Sequence, residues 1–200
     1  MVRQIIIVVI LLNWQWISAQ PALMDSVTLA LYPTYFDLSE ALQNPDEVIK
    51  LNLRKKKLKE FPKEVLLFKN LQYLDLSRND IKTLPDSIVV LTQLQYLIVS
   101  RTGLETLPRN IGGLKNLRHL NVNQNSLGVL PYSFGDLENL EVADLWSNEL
   151  EYFPESMSKL KNLVWMDLRN ILIPAANQEA IQAMLPDTKI EFSPPCNCSW

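Results

Sequence analysis

Five prolines, Pro62, Pro85, Pro108, Pro131 and Pro154, recur at intervals of 23 residues, and no other feature restricts the fold of this chain as strongly. A fixed period of that length marks stacked copies of one supersecondary unit. From Val48 the chain divides, without insertion or deletion, into six units of 23 residues that begin at Val48, Leu71, Leu94, Leu117, Leu140 and Leu163 and end at Leu185. Apolar residues recur at unit positions 1, 4, 6, 11, 14, 18 and 21, as in residues 71–93, LQYLDLSRNDIKTLPDSIVVLTQ.

Each unit reads as a strand followed by a turn. The opening Leu-x-x-Leu-x-Leu alternates over its second half, the pattern of a short strand with positions 4 and 6 inward. Asn79, Asn125 and Asn148 stand at position 9, where the chain leaves the strand. A side-chain amide there can satisfy backbone groups that the turn leaves unpaired. Beyond the proline the apolar residues come three apart (Pro85, Ile88, Leu91). That spacing predicts a helical or 3₁₀ turn with proline at its first position, where no N–H is needed. One such unit cannot offset the entropy of ordering its own chain, so neighbours must share burial and strand hydrogen bonds. Stacking then aligns the strands in parallel with the helical turns on the opposite side, and the unequal widths curve the array.

The pattern LxxLxLSxNxIxxLPxxIxxLxx, nearly complete in residues 71–93, is similar to the 23-residue leucine-rich repeat, and the agreement covers residues 48–185. Its Leu-Pro signature resembles that of short exported bacterial members of that superfamily. The resemblance implies an α/β leucine-rich repeat solenoid: a six-unit, curved, right-handed array with a parallel concave sheet and a 3₁₀/helical convex side. It also implies ligand binding on the concave sheet and no catalytic residues. Three units depart from the pattern at position 9, with Lys56, Thr102 and Ile171, and the sixth unit reads Ala176-Asn177 where the others carry Leu-Pro or Phe-Pro. Terminal units are expected to be atypical because they cap the core.

The flanks divide accordingly. Residues 1–19 read as a signal peptide: Arg3 precedes an apolar run from Ile5 to Leu12, and Ile17-Ser18-Ala19 offers a cleavage site, with Ile17 bulky for its place. Asn13 and Gln15 interrupt the run too early for a membrane span. Retention as an uncleaved anchor is the other outcome for this segment. Residues 20–47 form an N-terminal segment and helical cap. Within it Asp37 to Leu42 reads as a short helix stopped by Asn44-Pro45, while residues 20–33 carry no clear signal. At the other end, Asn177 is expected to N-cap a helix carrying Ile181, Met184 and Leu185, stopped by Pro186. Residues 186–200 then read as an edge strand over Lys189 to Phe192 and a Cys-x-Cys tail.

Composition narrows the chemistry. A formal net charge of −3 argues against nucleic-acid binding, which favours a strongly basic face. The two cysteines, Cys196 and Cys198, can form a strained disulfide in an exported protein or remain an exposed thiol pair, and alone they are too few for structural zinc. Asn197-Cys198-Ser199 matches a glycosylation sequon that matters only in a eukaryotic secretory pathway.

Registering the units turns sequence into a surface map. Positions 3, 5 and 7 are expected to face out of the concave sheet. They supply the candidate contact residues Tyr73, Asp75, Tyr96, Ile98, His119, Asn121, Asp144, Trp146, Trp165 and Asp167. Tyrosine and tryptophan on an open face are typical binding anchors. The competing reading is an intramolecular ladder of side chains on neighbouring strands. Asp144 and Asp167 share a column on adjacent strands, a spacing that resembles a retaining glycosidase pair, but an open sheet offers no water-excluding pocket. Arg54-Lys55-Lys56-Lys57 with Lys59 reads chiefly as a solvated turn; contact with a phosphate-bearing polymer or an acidic partner is its second reading. No phosphate loop, Cys/His cluster or Ser/His/Asp arrangement is present. The sequence therefore predicts a non-catalytic scaffold without a cofactor, secreted or periplasmic, that recognises a protein partner through the concave face. Carbohydrate binding by the exposed aromatics and self-association as a structural envelope protein are the alternatives.

Overall fold

The computed structural model describes residues 22–195, so the expected leader and both cysteines lie outside the described residues. Seven parallel strands form one open sheet in sequence order. They are β1 (Lys50–Asn52), β2 (Tyr73–Asp75), β3 (Tyr96–Ile98), β4 (His119–Asn121), β5 (Val142–Asp144), β6 (Trp165–Leu168) and β7 (Lys189–Phe192). Each strand from β1 to β5 pairs with the residue 23 places further on, as in Lys50 with Tyr73 and Asp144 with Asp167. The apolar columns stack into one continuous core, with Leu51, Leu74, Leu97 and Leu120 inside the sheet and Val65, Ile88, Ile111 and Phe134 on the facing wall.

The chain leaves each of the strands β1 to β6 through the same turn. Lys55, Arg78, Arg101, Gln124, Ser147 and Asn170, all at position 8, adopt left-handed φ between 53° and 59°. None is glycine, and each such residue costs roughly 1 kcal/mol. Hydrogen bonds offset that cost: the N–H groups of Lys55, Arg78 and Arg101 donate to the carbonyls of Ser77, Ser100 and Asn123 in the next unit. The position-9 asparagines then lock the turn. The Nδ2 of Asn125 donates to the carbonyls of Val99 and Val122, and its Oδ1 accepts from the N–H groups of Thr102 and Leu104. Asn79, two units earlier, and Asn148, one unit later, repeat three of these four bonds. Because all but one of these bonds run back to the preceding unit, the first unit has little need of the amide, and Lys56 stands there instead, exposed.

The far wall consists of 3₁₀ turns at Lys63–Leu67, Asp86–Val90, Ile111–Gly113, Tyr132–Asp136 and Glu155–Lys159. Proline is not the first residue of these turns, as the spacing predicts. Pro62, Pro85, Pro131 and Pro154 are their N-caps, held extended, and their carbonyls accept the first turn bond. A φ near −70° suits the cap as well as the first helical position, so spacing alone could not separate the two. Two further side-chain ladders join the turns. Asn110, Ser133 and Ser156 at position 17 donate to the carbonyls of Asp86, Arg109 and Tyr132. Asn116, Asn139 and Asn162 at position 23 donate to those of Thr92, Lys115 and Glu138. Stacking here is so close that a Cβ on Gly112 or Gly135 would collide with the carbonyl oxygen of Ser133 or Ser156.

Both ends are covered. Helix α1 (Ser26–Leu31), N-capped by the Asp25 carboxylate, occupies the stretch for which the sequence carries no signal. Helix α2 (Leu38–Ala41) is capped by Asp37. Between them Tyr35 pairs with Leu51 and so occupies the open edge of β1. At the other end helix α3 (Ala175–Met184) replaces the 3₁₀ turn, and β7 pairs with β6 with one extra residue in the connection, Trp165 facing Lys189. The expected cap at Asn177 is corrected: Pro174 precedes the helix, and Asn177 lies inside it, its N–H donating to the Pro174 carbonyl. A proline cap makes no side-chain bond, so it is invisible to a search for capping side chains.

Asn125→Ala strands the buried N–H groups of Thr102 and Leu104 and leaves the Val99 and Val122 carbonyls with only the Thr102 hydroxyl and Asn148, and it is expected to destabilise the protein by about 3 kcal/mol in urea unfolding. Gly135→Ala should cost about 1–3 kcal/mol through the carbonyl clash, whereas Gly128→Ala, with nothing near its Cβ, should stay within about 0.5 kcal/mol of wild type.

Candidate functional site

The concave face carries the side chains of positions 3, 5 and 7, and its two halves differ. In the first half, position 3 forms one continuous stack. The Lys50 ammonium lies 5.7 Å from the Tyr73 ring centroid, Tyr73 and Tyr96 are tilted at 6.0 Å, and Tyr96 and His119 stack at 4.5 Å with planes 10° apart. The in-register strands bring these rings together, since Tyr73 pairs with Tyr96 and Tyr96 with His119. Lys50 also donates to the carbonyl of Ala30 in α1, which buries it. Burial pushes the phenols of Tyr73 and Tyr96 above the usual tyrosine range. It holds the His119 imidazole below the usual histidine range, against an opposing pull from Glu141.

Position 5 shows a second regularity. Its side-chain oxygen accepts the N–H two residues ahead: Asn52 from Arg54, Asp75 from Ser77, Asn121 from Asn123, Asp144 from Trp146 and Asp167 from Arg169. Such Asx bonds end the strand and start the left-handed turn. They also correct the expectation of a uniformly exposed acidic column, because Asp75 and Asp167 are only 4% and 3% exposed. Asp75 accepts in addition from the Ser77 hydroxyl, and Asp167 is clamped by the Arg169 guanidinium, 2.5 Å from its Oδ2. A short polar side chain that folds onto its own backbone withdraws from solvent, and a two-residue alternation cannot register that.

Asp144 is the member that remains available. It is half-buried, and its Oδ2 accepts from Asn121 at 3.0 Å and Asn123 at 2.6 Å. No ion pair holds it among the described residues. Burial raises its carboxyl above the usual range, with the Asn123 and Trp146 bonds and the nearby Asp167 charge as smaller influences. Trp146 follows it on the same strand face, and Trp165 lies on the adjacent strand, paired with Val142. Both tryptophans are half-buried and stack on no other ring among the described residues. Ile98 stands between the two halves, partly exposed. The Asp144 and Asp167 pairing lacks the freedom of a glycosidase dyad, since one carboxylate is spent on Arg169. Among the described residues no group of three or more His, Cys, Asp or Glu could hold a metal ion, and no helix is long and apolar enough to cross a membrane.

Sequence reasoning missed the N-terminal strap. The Met24 N–H donates to Gln72, Gln72 donates to the Ala22 carbonyl, and Gln95 donates to the Met24 carbonyl and to Gln72. These contacts bury Gln72 and Gln95 at position 2, and a shallow polar groove of about 400 Å³ runs on from Met24 towards the Arg118–Glu141 ion pair. Glutamine at position 2 of two consecutive units was the only available signal.

Comparison with known proteins agrees with this geometry. A family model described as "Leucine-rich repeat region" matches residues 49–125, and one described as "Leucine Rich Repeat" matches residues 116–137. The chain is a leucine-rich repeat protein. A solved leucine-rich repeat protein of Leptospira interrogans superposes with a TM-score of 0.66 at 30% identity, over 83% of this chain and 49% of the other. An internalin of Listeria monocytogenes superposes with a TM-score of 0.65 at 17% identity, over 79% of this chain and 46% of the other. This leucine-rich repeat protein thus spans about half the length of each of these two structures. Sequence comparison with curated proteins returns no match.

The depressed His119 titration makes a pH prediction for the repeat array. The unfolded chain binds a proton near the ordinary histidine value of 6.5, while the folded chain binds it only at lower pH. Stability should therefore be full above 6.5 and fall as pH drops below it towards the folded value. His119→Phe, which keeps the stack, should lack that component when urea midpoints are compared at about pH 7.5 and 5.5.

Proposed function

We propose that this protein is an exported, non-catalytic recognition scaffold that binds a protein partner through the second half of its concave face. The general part rests on the fold, since leucine-rich repeat scaffolds are typically used for protein binding. Export is supported by the expected leader at residues 1–19.

One observation carries the choice of surface. The aromatic residues of the first half, Tyr73, Tyr96 and His119, spend their faces on one another and on Lys50. Among the described residues Trp146 and Trp165 have no ring partner, and they flank Asp144, a half-buried carboxylate in no ion pair. Unstacked tryptophans beside a partly desolvated charge provide apolar area and a directional contact together. The partner is accordingly one that presents an apolar segment with a cationic or hydrogen-bond-donating group next to it. Ile98, Asn121 and Asn123 border that surface, while Asp75 and Asp167 serve to shape the strand ends.

The purified protein is used as bait against the extracellular and surface fraction of its source, beside a Trp146→Ala/Trp165→Ala bait and a Tyr73→Ala bait of verified fold. Retention of one partner by wild type and Tyr73→Ala, with at least about tenfold loss in the double variant, is the expected result. Equal retention by all three baits would move the site elsewhere. Retention of glycans alone, surviving high salt and lost with Trp165→Ala, would reassign the surface to carbohydrate.

A further inference from the structure

The left-handed turn that ends strands β1 to β6 also arranges charge. At position 8 the side chains of Lys55, Arg78 and Arg101 leave three consecutive units from the same backbone conformation, φ 59°, 56° and 56°. Their N–H groups are bonded to the next unit in turn, so successive residues are one strand spacing apart, about 4.8 Å. The three cations therefore form a straight file about 10 Å long on the exit rim of the sheet. Arg54, Lys56 and Lys57 cluster around its first member, and all six are exposed. Lys57 is itself in the left-handed region, at φ 59°, within the same turn.

This rim lacks the neutralisation found elsewhere. Around the molecule, neighbouring units set lysine or arginine against an acid: Lys82 with Glu105, Lys115 with Glu138, Arg118 with Glu141 and Lys159 with Asp136. Among the described residues no ion pair reaches Arg54, Lys55, Lys56, Lys57, Arg78 or Arg101, and the side-chain bond of Arg101 goes to the neutral Gln124. Beside them only Lys59 is paired, with Asp80. Like charges concentrated on a chain of net charge −3 are held together at a repulsive cost, and the stack enforces their spacing.

The large hydrophobic residues that are exposed lie elsewhere, at the N-terminal cap, the 3₁₀ wall and the C-terminal units, and none stands on this rim. A rim without an apolar anchor does not suit the core of a protein interface. A regular line of cations suits a linear polymer whose anionic groups repeat along its length. We infer that the exit rim of the first three repeats, with the file Lys55, Arg78 and Arg101 at its centre, binds a linear polyanion bearing sulfate or phosphate groups. This surface is separate from the tryptophan half of the concave face, and its occupation does not depend on the partner proposed there. The unequal chemistry of the two surfaces allows anchorage to an anionic matrix while the concave face stays free.

The test uses the purified full chain and fluorescent probes: a heparin-derived oligosaccharide for sulfate, a short linear polyphosphate for phosphate, and poly-glutamate of equal charge for comparison. The variant Lys55→Gln/Arg78→Gln/Arg101→Gln removes the file without straining the turn, because Gln124 occupies the same position and conformation in the fourth unit. A control variant, Lys63→Gln/Arg109→Gln/Lys161→Gln, removes the same charge from exposed sites on the 3₁₀ side. Expected is binding of at least one of the first two probes, weakened about tenfold or more in the file variant and little in the control. The log–log salt slope should also fall by about 2, from a release of roughly 0.7–0.9 counterion per neutralised contact. Which probe binds identifies the source of the anionic groups. Three results overturn the inference: no binding of either probe, equal loss in both variants, or equally tight file-dependent binding of poly-glutamate, which would assign the rim to acidic protein segments.

Discussion

The amide of Asn125 donates to the Val99 and Val122 carbonyls and accepts from the Thr102 and Leu104 N–H groups, so one side chain closes the strand exit of two units at once. Without it the turn would bury unpaired backbone, and a solenoid that turns at every unit multiplies that cost by its number of units. Asn79 and Asn148 repeat the bond to the preceding unit, so the parallel register extends from unit to unit. The left-handed turn at position 8, the Asx bond at position 5 and the asparagine at position 9 form one device. It bends the chain sharply and leaves every strand free to pair on both sides.

That device also organises the surface. Because positions repeat without slippage, a side-chain type placed at one position of successive units becomes a physical row. Tyr73, Tyr96 and His119 become a stack, Lys55, Arg78 and Arg101 a line of charge, and Asn116, Asn139 and Asn162 a hydrogen-bonded spine. Breaks in a row are informative for the same reason. Lys56 replaces asparagine where no preceding unit exists to receive the bond, and Ile171 replaces it where α3 takes over the wall and buries that position. Trp146 and Trp165 stand at different positions of their units, so they cannot stack along the array, and each leaves apolar surface facing outward.

The repeat and its register were legible because the signal is redundant. Five prolines and six copies of the apolar pattern agree on 23 residues, and that number by itself aligns Tyr73 with Tyr96 and Asp144 with Asp167. The candidate surface was legible only in part. Alternation places Asp75, Asp144 and Asp167 on one face, but it does not reveal that two of them fold back and bury themselves. Helix α1 and the strap from Ala22 to Met24 occur once, so no period announces them, and their contacts, α1 with Lys50 and the strap with Gln72 and Gln95, join residues far apart in sequence.

The sequence alone thus determined the period, the parallel order, the inward columns and the need for caps, because each depends on residue type recurring at fixed intervals. The tertiary structure decided which of the outward residues are spent on the protein itself. That depends on distances between single side chains: Arg169 forms its ion pair with Asp167 and acts on Asp144 only from a distance, and His119 completes a stack that Trp165 does not join. Hydrogen bonds and ring contacts are settled within a few tenths of an ångström, a scale finer than any spacing along the chain can specify.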